Sequence, residues 1–343
     1  MHLSLDDIAR MIRLCAHATD LILDGDVLIK AQAQLDPSTK QGLPQRDPLA
    51  KQLLTIFGLP RITNLTLMGP LPKPYFTHAI LPMLHHLRCL DLLSVAYFDL
   101  ISTTYYLQKS IDEMDHDARP PPLVALHQAC PYLESLSCRF SLADFAPTLW
   151  ENETVIQPWD SVRSLRLILD EQDCQDENEI GRMVALLCAT FPSVRRLDLT
   201  CTLATDHLFL RDWARLLDDR RSESRLQHLH SLTLTCCSHW QSILDALHYF
   251  ASGNLSSLTS LSLIYPLSNN LPRLDLAALL GQFPFVQHLH VQGAILSFSP
   301  TCSTLAKTYP LCSLRMIKNV HISQSSLDSL ASLCPHLRLT CPP

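Results

Sequence analysis

The amino-acid sequence predicts an α/β solenoid, with about ten irregular helix–strand units stacked as a horseshoe around a parallel, concave sheet. Three observations carry that expectation. A nine-residue template, apolar-x-x-apolar-x-x-apolar-x-apolar, recurs ten times. A proline follows the first apolar residue in several copies, at Pro60, Pro131, Pro192 and Pro284. A segment with apolar residues at helical spacing precedes most copies. A unit that cannot bury its own apolar face has to stack on copies of itself, so a repeat of this length decides the architecture.

The template is clearest in Phe191–Leu199 and Phe283–Val291. Its third apolar position, the centre of each unit, is Leu21, Leu65, Leu90, Leu136, Leu165, Leu197, Leu232, Leu261, Leu289 and Val320. Two residues later come Leu23, Leu67, Leu92, Cys138, Leu167, Leu199, Leu234, Leu263, Val291 and Ile322. The positions three and six residues before each centre are apolar throughout as well, which coincidence does not produce in a chain that is 47% hydrophobic. The last three template residues alternate apolar, polar, apolar, as a short strand with one buried face does. The proline ends whatever helix comes before, because it lacks an N–H donor and restricts its neighbour.

Taken in chain order, Ser4 to Leu14 reads as a helix with Asp6 and Asp7 in its first turn. An insertion over 24–49, rich in turn residues, separates the first two strands. A second, over 99–122, carries Asp112, Glu113, Asp115 and Asp117 before Pro120, Pro121 and Pro122, and is expected as a tolerated surface loop. Helices are expected over Asp176–Phe191, Asp206–Leu217, Trp240–Phe250 and Leu274–Phe283. The acidic run over 170–179 suits a solvated loop and helix start, and it lacks the glycine and oxygen spacing of a calcium loop. Cys334 to Pro343 begins an eleventh unit and stops at two prolines, which reads as a terminus.

Composition bounds the function. The chain has 343 residues and is expected to form a single domain, since a solenoid core grows along one axis. A net charge of −6 gives no general electrostatic case for nucleic acid. No apolar run approaches the roughly 20 residues that span a bilayer, so no membrane partner is expected. The opening MHLSLDDIARMIRL has acids where a secretory signal is apolar. The thirteen cysteines are an odd count in a long chain, and Cys15, Cys130 and Cys138 occupy apolar template positions. Free thiols and an intracellular setting, cytoplasmic or nuclear, are expected, with the chain monomeric by itself. No nucleophile elbow, zinc-protease motif, paired-cysteine motif or phosphate loop occurs, so neither enzymatic activity nor a cofactor is expected.

The polar template positions line the concave face. Arg139, Arg166 and Arg196 come from three successive strands and Asp198 lies beside them, an arrangement that suits a carboxylate, a phosphodegron or an acidic peptide. His288 and His290 share a strand face, and the repeat places His321 beside His290. These seven residues form the candidate partner-binding surface. Three imidazoles at that spacing have the chemistry of a zinc site, but no carboxylate supports them, and they are expected as ordinary polar residues of an exposed face.

The L-x-x-L-x-L pattern, the irregular unit length and the Cys-Pro or Phe-Pro before the strand resemble the leucine-rich-repeat region of eukaryotic F-box proteins over most of the chain, Cys15 to Ile322. The resemblance implies a non-enzymatic scaffold that binds a protein partner on its concave face. It further implies the substrate-recognition half of an SCF-type ubiquitin ligase, docked on the ligase adaptor. The alternative is an adaptor similar to ribonuclease inhibitor or to leucine-rich GTPase regulators, unrelated to ubiquitin. The family places Asn or Cys three residues past the last strand Leu, and here only Cys237 fits, so less regular convex turns are expected.

Overall fold

The computed structural model describes residues 17–24, 62–69, 85–94, 122–141, 158–170, 190–201, 228–236, 257–266, 271–299 and 308–340, with the single positions 10, 14, 15 and 247. The insertions over 24–49 and 99–122 fall almost wholly outside the described residues. So do the expected helices over 4–14, 176–191, 206–217 and 240–250, although Arg10, Leu14, Thr190 and Leu247 are each helical. The chain forms two compact units, Met1–Arg163 and Ser164–Pro343.

In the first unit, β1 (Asp20–Asp24), β2 (Asn64–Met68), β3 (Cys89–Ser94) and β4 (Ser135–Ser141) pair in parallel and in chain order. Their template centres stand opposite one another, Leu21 beside Leu65, Leu65 beside Leu90 and Leu90 beside Leu136. Helix α1 (Pro122–Ala129) enters β4. Its first residue is proline, which costs nothing where the N–H has no intrahelical partner anyway. The helix ends as the sequence predicts. The Cys130 N–H still donates to the Leu126 carbonyl at 2.9 Å, and the donorless Pro131 then lets the chain turn. Leu133 N–H closes that turn on the Cys130 carbonyl at 3.2 Å, and Val162 repeats the bond on Trp159 at 3.2 Å.

In the second unit, β5 (Ser164–Asp170), β6 (Arg196–Cys201), β7 (Ser231–Cys236) and β8 (Ser260–Ile264) continue the same parallel pattern. Beyond them the units gain a second strand. β9 (Arg273–Asp275), β11 (Ala294–Ser297) and β13 (Val320–Ile322) form a separate parallel sheet. The main sheet goes on through β10 (His288–Gln292), β12 (Ser313–Met316) and β14 (Arg338–Thr340). Helices α2 (Leu276–Gln282) and α3 (Gln324–Leu333) follow β9 and β13. Asp275 caps α2 by accepting from Ala277 N at 2.9 Å, and Ser323 caps α3 through Ser326 N at 3.2 Å. The helix expected from Leu274 therefore begins only at Leu276, because Leu274 pairs with Leu296 in the second sheet.

The tenth unit is displaced from its expected register. Val320 and Ile322 lie in β13 of the second sheet, and the main-sheet strand is β12, with Leu314 opposite Leu289. Leu339 of β14 stands opposite Leu314. Both strands of this unit alternate apolar and polar, so the template fits the wrong one.

Burial follows the template. The centres from Leu65 to Leu314 are 0–2% exposed, and the positions three residues earlier are buried from Ile62 to Leu311. Each such leucine contributes about 2 kcal/mol by leaving water. The last centre, Leu339, is 45% exposed, because β14 has a neighbour on one side only among the described strands. Cys130 and Cys138 are buried as expected, while Cys15 is exposed. Cys15 precedes β1, which is covered from β2 alone among the described strands.

Two further features repeat. Two consecutive N–H groups at a strand entry share one carbonyl of the preceding unit: Arg88 and Cys89 on Thr63, His230 and Ser231 on Arg195, Cys312 and Ser313 on Gln287. The strand exit turns through left-handed backbone, at Gly69 (φ 69) after β2 and Gly293 (φ 71) after β10. At Gly293 the close approach also demands glycine, since a Cβ there would lie 2.0 Å from the Tyr265 carbonyl oxygen.

Candidate functional site

Each strand presents its template centre to the core and the two flanking residues to the opposite face. In the first unit that face sets two acids among small polar residues. It carries Asp20, Asp91 and the exposed Ile22. Thr19 Oγ1 and Asn64 Nδ2 each donate to the Asp20 carboxylate at 2.6 Å, and these two bonds, Thr19 first, hold its carboxyl below the usual range. Arg139 lies in β4 of this unit, with its side chain outside the described residues.

The face of the second unit has the opposite character. Arg166 and Arg196 are exposed on adjacent strands, and the register sets Arg166 opposite Asp198 and Arg196 opposite Ser164. Arg166 Nε lies 3.2 Å from Asp198 Oδ2. Burial pushes the Asp198 carboxyl up, and the Arg166 charge partly offsets the rise. Arg196 has no ion-pair partner among the described residues. Of the expected arginine cluster, the described side chains thus bring together Arg166, Arg196 and Asp198. Next come two strands of small hydroxyls, Ser231 and Thr233 on β7 and Ser260 and Ser262 on β8.

His288 and His290 follow on β10 as expected. His321 does not join them. It lies in β13 opposite Ile295 of the second sheet, and the position beside His290 belongs to Arg315 of β12. The imidazole trio is therefore not assembled, and among the described residues no three metal-ligating side chains come together. The His290 imidazole is shifted down, mainly by burial and further by Arg315 and His288.

Sequence reasoning missed Arg315 and Arg338, the polar residues of the last two strands. A signal for them exists. Leu289, Leu314 and Leu339 are 25 residues apart, the spacing that separates Leu65 from Leu90. With the register corrected, β10, β12 and β14 carry His288, His290, Arg315 and Arg338 on one face. None of these strands places a carboxylate there.

A recurring nine-residue unit, parallel strands in chain order and a buried leucine row define a leucine-rich-repeat solenoid. Among solved structures the chain is similar to a leucine-rich-repeat protein of Leptospira interrogans, at 15% identity over 84% of this chain and 68% of that one, with a TM-score of 0.39. It is also similar to internalin C2 of Listeria monocytogenes, at 14% identity over 92% of each chain and a TM-score of 0.34. A third similarity is to the leucine-rich repeat domain of APL1B, at 14% identity over 98% and 93% of the two chains and a TM-score of 0.26. No protein-family model and no curated protein matches the chain.

Proposed function

We propose that the chain is a non-enzymatic protein-interaction scaffold that binds a protein partner on the polar strand face of its second unit. One observation supports this reading above the rest. From β5 to β14 every strand of the main sheet offers short hydroxyls, guanidiniums or imidazoles toward the outside, on backbone fixed by parallel pairing and a buried leucine row. Side chains on such a frame lose little further freedom when a partner arrives, so their hydrogen bonds are retained as affinity. Arg166 and Arg196 supply the orienting charge at the β5 end.

The finer reading, substrate recognition within an F-box-type ubiquitin ligase, draws on the sequence resemblance. It makes the chain an intracellular protein that works through the SCF adaptor. Affinity capture from cells, with mass spectrometry of the retained proteins, tests both levels. Recovery of the adaptor and a cullin supports the ligase role. A partner lost on Arg166→Glu with Arg196→Glu supports the face. A partner kept by that double variant moves the site elsewhere.

A further inference from the structure

The corrected register gathers four cationic or ionisable donors at the far end of the second unit. His288 stands opposite Ser313, which stands opposite Arg338; His290 stands opposite Arg315, which stands opposite Thr340. His288, Arg315 and Arg338 are exposed and His290 is half-buried. Neither Arg315 nor Arg338 has an ion-pair partner among the described residues. The nearest strands, β7 and β8, place no charged residue on this face. The first carboxylate met along it is Asp198 on β6, which is engaged by Arg166. The patch carries guanidinium charge with no carboxylate on its own strands to pair it, and what complements it is an anion.

Its spacing narrows the choice. Arg338 is one strand across and two residues back from Arg315. With strands about 4.8 Å apart and a rise of about 3.3 Å per residue, their Cα atoms are about 8 Å apart along the diagonal. In an extended peptide, side chains at alternate positions point the same way and repeat every 6.6 Å or so. Two carboxylates at alternate positions therefore reach one guanidinium each, while the neighbouring serines can bond the peptide backbone.

We infer that the β10–β12–β14 end of the face, through Arg315 and Arg338 with His288 and His290, binds an extended acidic segment of a partner protein that carries carboxylates at alternate positions. This deepens the scaffold reading given above and rests on it. His290 makes the contact depend on protons. His290 is faced by Ser262 of β8, Arg315 of β12 and His288 of its own strand. Among the described residues the groups that act on it are basic, and burial first, then Arg315 and His288, favours the neutral imidazole. It gains charge as the pH falls, while peptide carboxylates stay ionised down to about pH 5. The segment thus binds more tightly on the acid side of neutrality.

The test uses the full chain and a fluorescent peptide alternating aspartate with serine, titrated by anisotropy. A matching peptide alternating asparagine with serine is the control. The expected result is saturable binding of the aspartate peptide, tightening about fivefold or more between pH 7.5 and 5.5, and none of the control. Arg315→Gln with Arg338→Gln should weaken binding at least tenfold with an unchanged circular dichroism spectrum. His290→Gln should remove the pH dependence. Arg166→Glu with Arg196→Glu should leave peptide affinity within about twofold, which separates this site from the one proposed at β5 and β6. No binding, equal binding of the control, or a loss confined to the Arg166 and Arg196 variant overturns the inference. Displacement by millimolar inorganic phosphate with no preference for the peptide overturns it too, since a simple anion site would remain. Should the arginine pair fail to fold, the peptide comparison and the histidine variant still decide.

Discussion

Arg166 and Asp198 stand opposite each other on β5 and β6, with Arg166 Nε 3.2 Å from the carboxylate. The acid is mostly shielded and the base half-exposed, so the pair gains less than its geometry suggests. Burial raises the Asp198 carboxyl despite its partner. A carboxyl raised above its unfolded value costs stability when ionised, and the cost fades as pH falls through the folded value. Asp198→Asn should therefore stabilise the chain at pH 7 by a fraction of a kcal/mol, the scale of partly exposed pairs. The gain should shrink toward pH 4.5, and denaturant melts at the two pH values check it. A clear loss of stability at pH 7 would show the pair to be net favourable.

Gly293 joins β10 to β11 with φ at 71°, and a Cβ there would sit 2.0 Å from the Tyr265 carbonyl oxygen. Gly293→Ala should cost about 3 kcal/mol or more, from strain at positive φ together with the steric overlap. Chemical denaturation measures it. Gly281→Ala is the internal control. No atom lies within 4 Å of its added Cβ, and alanine is the better helix former. That substitution should be neutral or stabilising by up to about 1 kcal/mol.

Leu197 is fully buried and Leu339 is 45% exposed, although both are template centres. Leu197→Asp should lose several kcal/mol by placing an unpaired charge in the stacked core. Leu339→Asp should lose less than about 1 kcal/mol, since its carboxylate stays in water. Because repeats are coupled mainly to their neighbours, hydrogen exchange in the Leu197 variant should rise most near β5 to β7.

The thiols divide by burial. The Cys130 thiol is pushed up to about 12 and Cys334 to about 11, and Cys138 is raised further, with burial the leading cause in each. Thiolates are the reactive form, so these three should resist iodoacetamide in the folded chain at pH 8. Among the described thiols, the exposed Cys15 should be alkylated first. Peptide mapping before and after denaturation reads the difference.

Nine of the eleven template centres, Leu21 to Leu289, were legible because each opens an apolar-x-apolar triplet behind a turn. The tenth was not. Leu314, Ile317, Val320 and Ile322 satisfy the template by chance, while the true unit has exposed Thr308 where the template asks for an apolar residue. Periodicity reports that a strand alternates and does not report which sheet it joins. That single displacement put His321 into the site and left Arg315 and Arg338 out. The three-residue β9 was illegible for another reason. A strand that short has no period of its own, and its leucine fits the helical pattern of α2 equally well. Arg166, Arg196 and Asp198 were legible because they flank unambiguous centres.

The hydroxyl strands between the two basic ends also fix a length. From Arg196 on β6 to Arg315 on β12 the sheet takes four steps, through β7, β8 and β10. At about 4.8 Å each, that is close to 19 Å. The serines and threonines in between act as a ruler. On the proposed reading, a ligand shorter than about six extended residues would engage one end or the other and a longer one would close on both, so partners would be sorted by reach before they are sorted by sequence.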